Sequence, residues 1–471
     1  MSAIRELGKN TILIFIGNLG SKFVGFLMLP FYTRWLSQED YGTTDIIFVY
    51  SSLLLGVTTC CIADAIFIFP KNSSINKQKR YFTTGAIFSF ITLILTGVIF
   101  IGLENIFQFY DISNSFTNYT WWIYTILIVT FTQNFIQQFC RSINKIILYS
   151  ISGVILTILT ALFSFIFIPK YGIFGYLLAT TISLTISSFS IFLLAQLYSY
   201  FRFSFFDKKL LKEMLSYSCP LIPNTIMWWS INSLNRPFLE SNVGLAGIGI
   251  LAVAQKIPNM ISIIFNVFSS AWQISVLNEY KEKNFLHFFN RIMSGFEFLI
   301  TILIIILSPL ADFIMRIIVG PQFYEASKYL PILTITIFFL SINIIISPIF
   351  SAVRKSKYFF NTSIYGAISS VISYIILIPR LGLWGAVMGI CIAQAVMAFM
   401  RLIYSTKYVD IFNKKIYLIY LLSILTTTIA STFLTHSIIK YIVCISCIVI
   451  STTYFLITNK QYICNHLKLK S

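Results

Sequence analysis

The chain has 471 residues, of which 57% are hydrophobic and only 11% charged, and its mean hydropathy is +0.83. Ordinary soluble domains carry about 25% charged residues, so this composition excludes a water-soluble fold. The formal net charge of +18 comes in short clusters between apolar runs without aromatic interleaving, which argues against nucleic acid as a partner.

A hydrocarbon core needs roughly 20 apolar residues per helical span. In chain order, 14 candidate spans fall near residues 11–33, 41–69, 83–103, 119–140, 147–168, 173–196, 214–235, 247–273, 292–311, 329–352, 359–378, 384–406, 416–435 and 438–457. The runs lack the alternating pattern of barrel strands, and lipid-exposed backbone must satisfy its own hydrogen bonds, so helices are the element expected. The predicted class is an all-α integral membrane protein. The first run follows Arg5 and Lys9, but it is long, contains Asn18 and Lys22 and lacks a small-residue cleavage site, so it is expected to remain as the first helix.

The distribution of Lys and Arg gives a direction to these spans, because cytoplasmic loops collect positive charge. With the N-terminus inside, the inner segments hold 25 of the 34 cations, Arg401 among them. The outer segments hold seven, namely Arg34, Lys170, Arg236, Arg316, Lys328, Arg380 and Lys440. Lys22 and Lys256 lie inside predicted spans. A multi-pass protein of a bacterial cytoplasmic (inner) membrane, with both termini cytoplasmic, is expected.

Residues 168–175 read I-P-K-Y-G-I-F-G and residues 378–385 read I-P-R-L-G-L-W-G, an offset of 210. Arg141, Lys145 and Gly153 likewise precede the first copy as Arg354, Lys357 and Gly366 precede the second. Two six-helix halves follow, over 1–205 and 206–410, with 411–471 as two additional helices and a tail. Six is an even number, so the halves enter the membrane with the same orientation and form a parallel repeat, a frequent transporter plan. In the motif, Pro169 and Pro379 stop a helix, while Gly172, Gly175, Gly382 and Gly385 permit a tight turn and close packing.

Ionisable groups inside a membrane are costly, on the order of 2.5–3.5 kcal/mol each on insertion scales, and default to functional hypotheses. Lys22 sits near the middle of span 1, one turn from Asn18 on the same face. Lys256 in span 8 shares a stripe with Asn259 and Asn266, and span 7 carries Asn224, Trp228, Asn232 and Arg236 at four-residue steps. Amide and aromatic side chains along a cationic path suit a sugar, although helix-to-helix hydrogen bonding accounts equally well for any single amide. Asp64 and Glu297 lie within two turns of the inner ends of spans 2 and 9. There they could exchange protons or bind Na+, or pair with interfacial lysines. Cys444 and Cys447 have redox spacing but no thioredoxin pattern around them and read as packing residues. His287, His436 and His466 have no ligand spacing, so no metal or cofactor is expected beyond a possible coupling H+ or Na+.

The stretch L-P-F-Y-T-R-W-L-S-Q-E-D-Y-G at 29–42 resembles the first-loop signature of the polysaccharide transporters, the Wzx-type flippases of the multidrug/oligosaccharidyl-lipid/polysaccharide exporter superfamily. G-I-L-A-V-A-Q-K-I at 249–257 is similar to that family's span 8 pattern, and the P-x-x-G-x-x-G repeats stand where the family places them. Asn235 departs from the acidic residue often found before the span 7 arginine, and Leu251 from a frequent Tyr. The resemblance implies two helical bundles around a central cavity, alternating access, and a polyprenyl pyrophosphate carrying an oligosaccharide of O-antigen, capsule or exopolysaccharide as substrate. Membrane lipids, and polymerase and chain-length proteins of the same pathway, are its implied partners. Lys22 and Lys256 would then face the pyrophosphate, with Arg34 and Arg236 at the outer mouth. Two rival transport readings are an ion-coupled multidrug-type exporter and a lipid II flippase. A membrane glycosyltransferase is disfavoured because the outer loops are short and carry few acids, Glu104 and Asp111 or Asp312 and Glu325.

Overall fold

The computed structural model describes residues 25–111, 113–410, 414–434 and 438–458, and every regular element in them is helical. The chain divides into two compact units, 1–229 and 230–471. This division falls within the span expected over 214–235.

In the first unit, α1 (Leu29–Trp35) leads through Leu36 into α2 (Gln38–Thr58). The string S-Q-E-D at 37–40 is a helix start. Ser37 caps α2, its Oγ accepting from the Asp40 amide at 3.0 Å while Asp40 accepts in return from the Ser37 amide. The span breaks at Cys60 and Cys61, both with φ of 51°, and α3 (Ile62–Ile68) leaves at 62° to α2. Next come α4 (Ile75–Phe109), α5 (Thr120–Ser142) and α6 (Ile146–Leu194). Expected spans 5 and 6 are the two arms of α6, separated by a kink at Gly172, whose non-helical φ of 54° and ψ of −126° suit glycine. Polar α7 (Lys208–Ser218) precedes α8 (Ile222–Asn232). The core of this unit gathers Phe82, Phe135 and Phe139 around Ile62 and Ile66, with the Phe82 and Phe139 rings 4.6 Å apart. The outward face of α4 carries Phe90, Ile94 and Val98 in the open, the reverse of a soluble amphipathic helix.

The second unit holds α9 (Asn235–Asn242), α10 (Leu245–Ala254), α11 (Lys256–Glu279), α12 (Phe285–Leu307), α13 (Ala311–Ile318), α14 (Ala326–Ala352), α15 (Ser356–Leu381), α16 (Leu383–Ser405), α17 (Lys414–Phe433) and α18 (Ile439–Thr458). Its core centres on α14, where Trp272 of α11 donates its indole N–H to the Ile345 carbonyl at 2.9 Å. Gly382 has φ 57° and ψ −127°, matching Gly172 to within a few degrees. In both copies the following glycine packs against the preceding turn. A Cβ on Gly175 would run into the Phe167 carbonyl, and one on Gly385 into that of Leu377.

Among the described residues, nine helices are long and apolar enough to cross a membrane, or ten if the bent pair α2 and α3 is one span. The difference from 14 has local causes. Span 1 lies mostly outside the described residues, the two arms of α6 enter the count as one helix although Gly172 separates them, and α5 does not reach that apolarity. Span 7 breaks at Cys219–Leu221, where Pro220 lies, and ends at Asn232. Span 9 begins at Phe285 rather than near 292, because aromatic residues extend it.

Candidate functional site

Asn18 and Lys22 lie outside the described residues. The remaining cations of the expected path are distributed between the units. Arg34 is exposed on α1, a helix pinned to α6 by a Tyr32–Ser164 hydroxyl contact of 3.1 Å and by the Phe31 and Phe165 rings 4.8 Å apart. Asp64 is exposed in the first turn of α3, where a carboxylate complements the helix dipole. On α8, Asn224 and Trp228 are half-buried, whereas Asn232 at the end of the helix is exposed.

Arg236 is where the second unit concentrates polar chemistry. Its side chain is buried, with 4% exposure. A single turn at residues 233–234 separates α8 from α9, with the Arg236 amide donating to the Ser233 carbonyl at 3.1 Å, and the guanidinium reaches the last carbonyl of α8 four residues back. Nη1 donates to the Asn232 carbonyl at 2.9 Å and to Asn235 Oδ1 at 2.7 Å, and Nη2 donates to Gln255 Oε1 at 2.5 Å. A cation at a helix C-terminus is favoured by the dipole and satisfies an orphan carbonyl. Bonds to a charged donor contribute about 1.5–3 kcal/mol each, which offsets the burial of the guanidinium. Fully buried Asn235, the departure from an acidic residue, thus supplies an amide oxygen where a carboxylate would have stood. Tyr374 of α15 locks the same corner by donating its hydroxyl to the Ile231 carbonyl at 2.6 Å.

Gln255 is the joint between α10 and α11, and Lys256 follows it as the first residue of α11. Lys256 is therefore at a helix start and half-buried, not in the middle of an unbroken span. Asn259 and Asn266 continue along α11 and are exposed. The structure thus brings Arg236, Asn232 and Gln255 together beside Lys256. It gives Arg34 no such partner among the described contacts, and Asp64 and Glu297 belong to different units.

Glu297 lies well inside α12 rather than near its inner end and is fully buried. Its Oε2 accepts from the Ser341 hydroxyl of α14 at 2.8 Å, and its Oε1 has no partner among the described residues. The expected alternative, an interfacial lysine pair, is not what holds it.

Arg401, counted above with the inner loops, is a buried residue of α16 with 2% exposure. It donates to the Asn343 carbonyl at 3.0 Å, Ser347 Oγ at 2.7 Å and Thr362 Oγ1 at 3.3 Å, and its guanidinium stands 4.7 Å from the Phe359 ring centre. Its position within the run 384–406 was the available signal.

A family of polysaccharide biosynthesis proteins matches residues 7–273, more than half of the chain. The chain belongs to this family. No curated protein matches the sequence. Among solved structures, the lipid II flippase MurJ in an inward closed conformation aligns over 97% of this chain and 98% of its own, with a TM-score of 0.61 and 17% identity. An inward-facing multidrug resistance MATE family transporter aligns over 84% and 94%, with a TM-score of 0.60 and 16% identity. A MOP superfamily transporter from Pyrococcus furiosus Vc1 aligns over the same shares, with a TM-score of 0.57 and 17% identity. The family member is thus a multi-pass membrane protein with the fold of MOP-superfamily transporters.

Proposed function

We propose that this protein is a flippase that moves polyprenyl-pyrophosphate-linked oligosaccharide units of O-antigen, capsule or exopolysaccharide from the inner to the outer leaflet of the bacterial cytoplasmic membrane by alternating access. The observation that carries this reading, beside the family, is the buried Arg236 and its amide partners next to Lys256. A pyrophosphate entering a membrane loses hydration, and cations already fixed by neutral oxygens offset that loss without reorganising. The amides of Asn232, Asn259 and Asn224, with the Trp228 ring, offer hydrogen bonds and a stacking surface to sugars. Lys22 with Asn18 and Arg34 complete the proposed cationic set. Glu297, buried with one oxygen on Ser341, is the stronger candidate for a coupling H+ or Na+, and Asp64 the weaker, since an exposed carboxylate gains little from binding an ion.

The test is complementation. The chain is expressed in a bacterium lacking its own polysaccharide flippase, and surface glycan is measured for the wild type, Arg236→Ala and Lys256→Ala. Restoration by the wild type, with at least about a tenfold loss in each variant at equal membrane expression, is expected. Fully active variants would remove the cations from the mechanism. Failure of the wild type, together with protection of the host against a toxic cation, would replace the glycan reading with a multidrug-type one.

A further inference from the structure

The first unit carries a groove of about 590 Å³ between α4, α5 and the second arm of α6, with the exposed rings of Phe90 and Phe189 on its rim. Its wall is almost wholly hydrocarbon, and the hydroxyls of its serines and threonines are already engaged. Ser89 donates to the Gly85 carbonyl, Thr132 to that of Ile128, Thr185 to that of Thr181, and Ser188 to Gln133 and the Leu184 carbonyl. Along α4 the groove runs from Phe82 to Leu93, about 16 Å at the rise of a helix. That is half of a hydrocarbon core of about 30 Å, the depth of one leaflet.

The mouth of the groove, lined by Tyr198 and Phe201, opens at the end that the charge pattern assigns to the cytoplasm. The chain that follows is fixed against α4. The Arg202 amide donates to Thr83 Oγ1 at 3.2 Å, the Asp207 amide donates to Thr84 Oγ1 at 3.1 Å, and Asp207 pairs with Arg80 at 2.6 Å. Held in this way, the segment F-R-F-S-F-F at 201–206 leaves Phe203 77% exposed, an arrangement disfavoured in water and favoured at a lipid interface. Arg202, Lys208, Lys209 and Lys212 are exposed in the same stretch, and none of them has an acidic partner among the described residues. The Arg202 guanidinium lies 6.0 Å from the Phe205 ring centre, which leaves its N–H groups open to a ligand.

We propose that this groove holds an anionic phospholipid of the inner leaflet, with one acyl chain along α4 and the phosphate beside Arg202 and the lysines at the start of α7. A wall with no free serine or threonine hydroxyl selects hydrocarbon. A length of one leaflet matches a lipid that stays in that leaflet, and cations without acidic partners at the mouth select a negative head group. A zwitterionic lipid would fill the groove as well but would gain little from the cations. The proposal concerns the lipid face of one unit, so it stands or falls apart from the identity of the cargo.

The full-length protein is purified in detergent, stripped of lipid and titrated in native mass spectrometry with phosphatidylglycerol and with phosphatidylcholine of the same acyl chains. Phosphatidylglycerol is expected to bind at least about tenfold more tightly. Each cation near a charged lipid surface accounts for about fivefold in affinity, so Arg202→Gln is expected to reduce the preference by about that factor. Thr132→Phe places a ring in the groove from an exposed position, and it is expected to weaken both lipids at least about fivefold without changing the preference between them. Equal binding of the two lipids by the wild type overturns the selection of a negative head group. A preference untouched by Arg202→Gln overturns the place of the phosphate, and affinities untouched by Thr132→Phe overturn the groove. A polyprenyl phosphate that binds more tightly than phosphatidylglycerol and is lost in Thr132→Phe gives the groove to the tail of the cargo, and a dimer that Thr132→Phe splits gives it to a second copy. Either result overturns the phospholipid.

Discussion

The two halves of the repeat solve the same packing problem with different chemistry. In the first unit, α5 is tied to both arms of α6 by neutral groups. Gln133 donates to Ser187 at 3.2 Å and accepts from Ser188 at 2.5 Å, and Gln137 donates to Ser152 at 2.8 Å. Moving 210 residues along the chain lands on Asn343, Ser347 and Thr362. There Asn343 donates to Gln394 at 3.3 Å, so the first contact persists as an amide pair. The second does not. Ser347 is shorter than Gln137 and cannot reach across, and the Arg401 guanidinium spans the gap to Ser347 and Thr362. Where the first unit has the Gln137 amide, the second has the short Ser347 with a guanidinium from another helix filling the gap.

The comparison breaks first at the glycines. Gly175→Val and Gly385→Val each force a Cβ onto a backbone carbonyl of the preceding turn. Both are expected to cost about 3 kcal/mol or more and to abolish the monodisperse peak in size-exclusion chromatography. Loss in only one of them would show that the motifs are not structurally equivalent.

Arg401→Ala comes next. It removes three bonds to a charged donor and leaves a cavity, with an expected destabilisation of about 2–4 kcal/mol. The matching Gln137→Ala is expected to cost about 1 kcal/mol, the usual value for a neutral bond. Thermal unfolding of the purified full chain reads both, and equal shifts would mean that the charge adds nothing. Glu297→Gln keeps the Ser341 contact and is expected to change stability by only about 1 kcal/mol. It is expected to flatten the pH dependence of transport in vesicles, and an unchanged pH profile would take Glu297 out of the coupling. The smallest effect belongs to Arg34→Ala. An exposed side chain of this kind moves stability by no more than about 0.5 kcal/mol, so any loss of glycan transport would report on the substrate rather than on folding.

Much of this was legible in the sequence. Apolar length set the helical class, and I-P-x-x-G-x-x-G located the paired turns because only glycine accepts the backbone found at Gly172 and Gly382. Hydropathy could not show where a span is broken without losing apolarity. The break after Ser218, the joint at Gln255 and the bend at Cys60–Cys61 depend on backbone geometry that other apolar runs do not adopt. Hydropathy also misplaced Arg401, because the tally by loops assigned it to solvent when its partners, Asn343, Ser347 and Thr362, come from two helices more than thirty residues upstream. The site was only half legible for a related reason. Lys256 stood out as an intramembrane cation and Arg236 as the cation at the outer end of span 7, but the Arg236–Gln255 contact that brings them close is a tertiary fact.

The corner in span 2 has a mechanical consequence. A straight helix that turns about its own axis moves nothing at its end, but α3 is set at 62° to α2 and acts as a crank. Its seven residues extend for roughly 10 Å, so a twist of α2 by about 20° would sweep the far end of α3 sideways by about 3 Å.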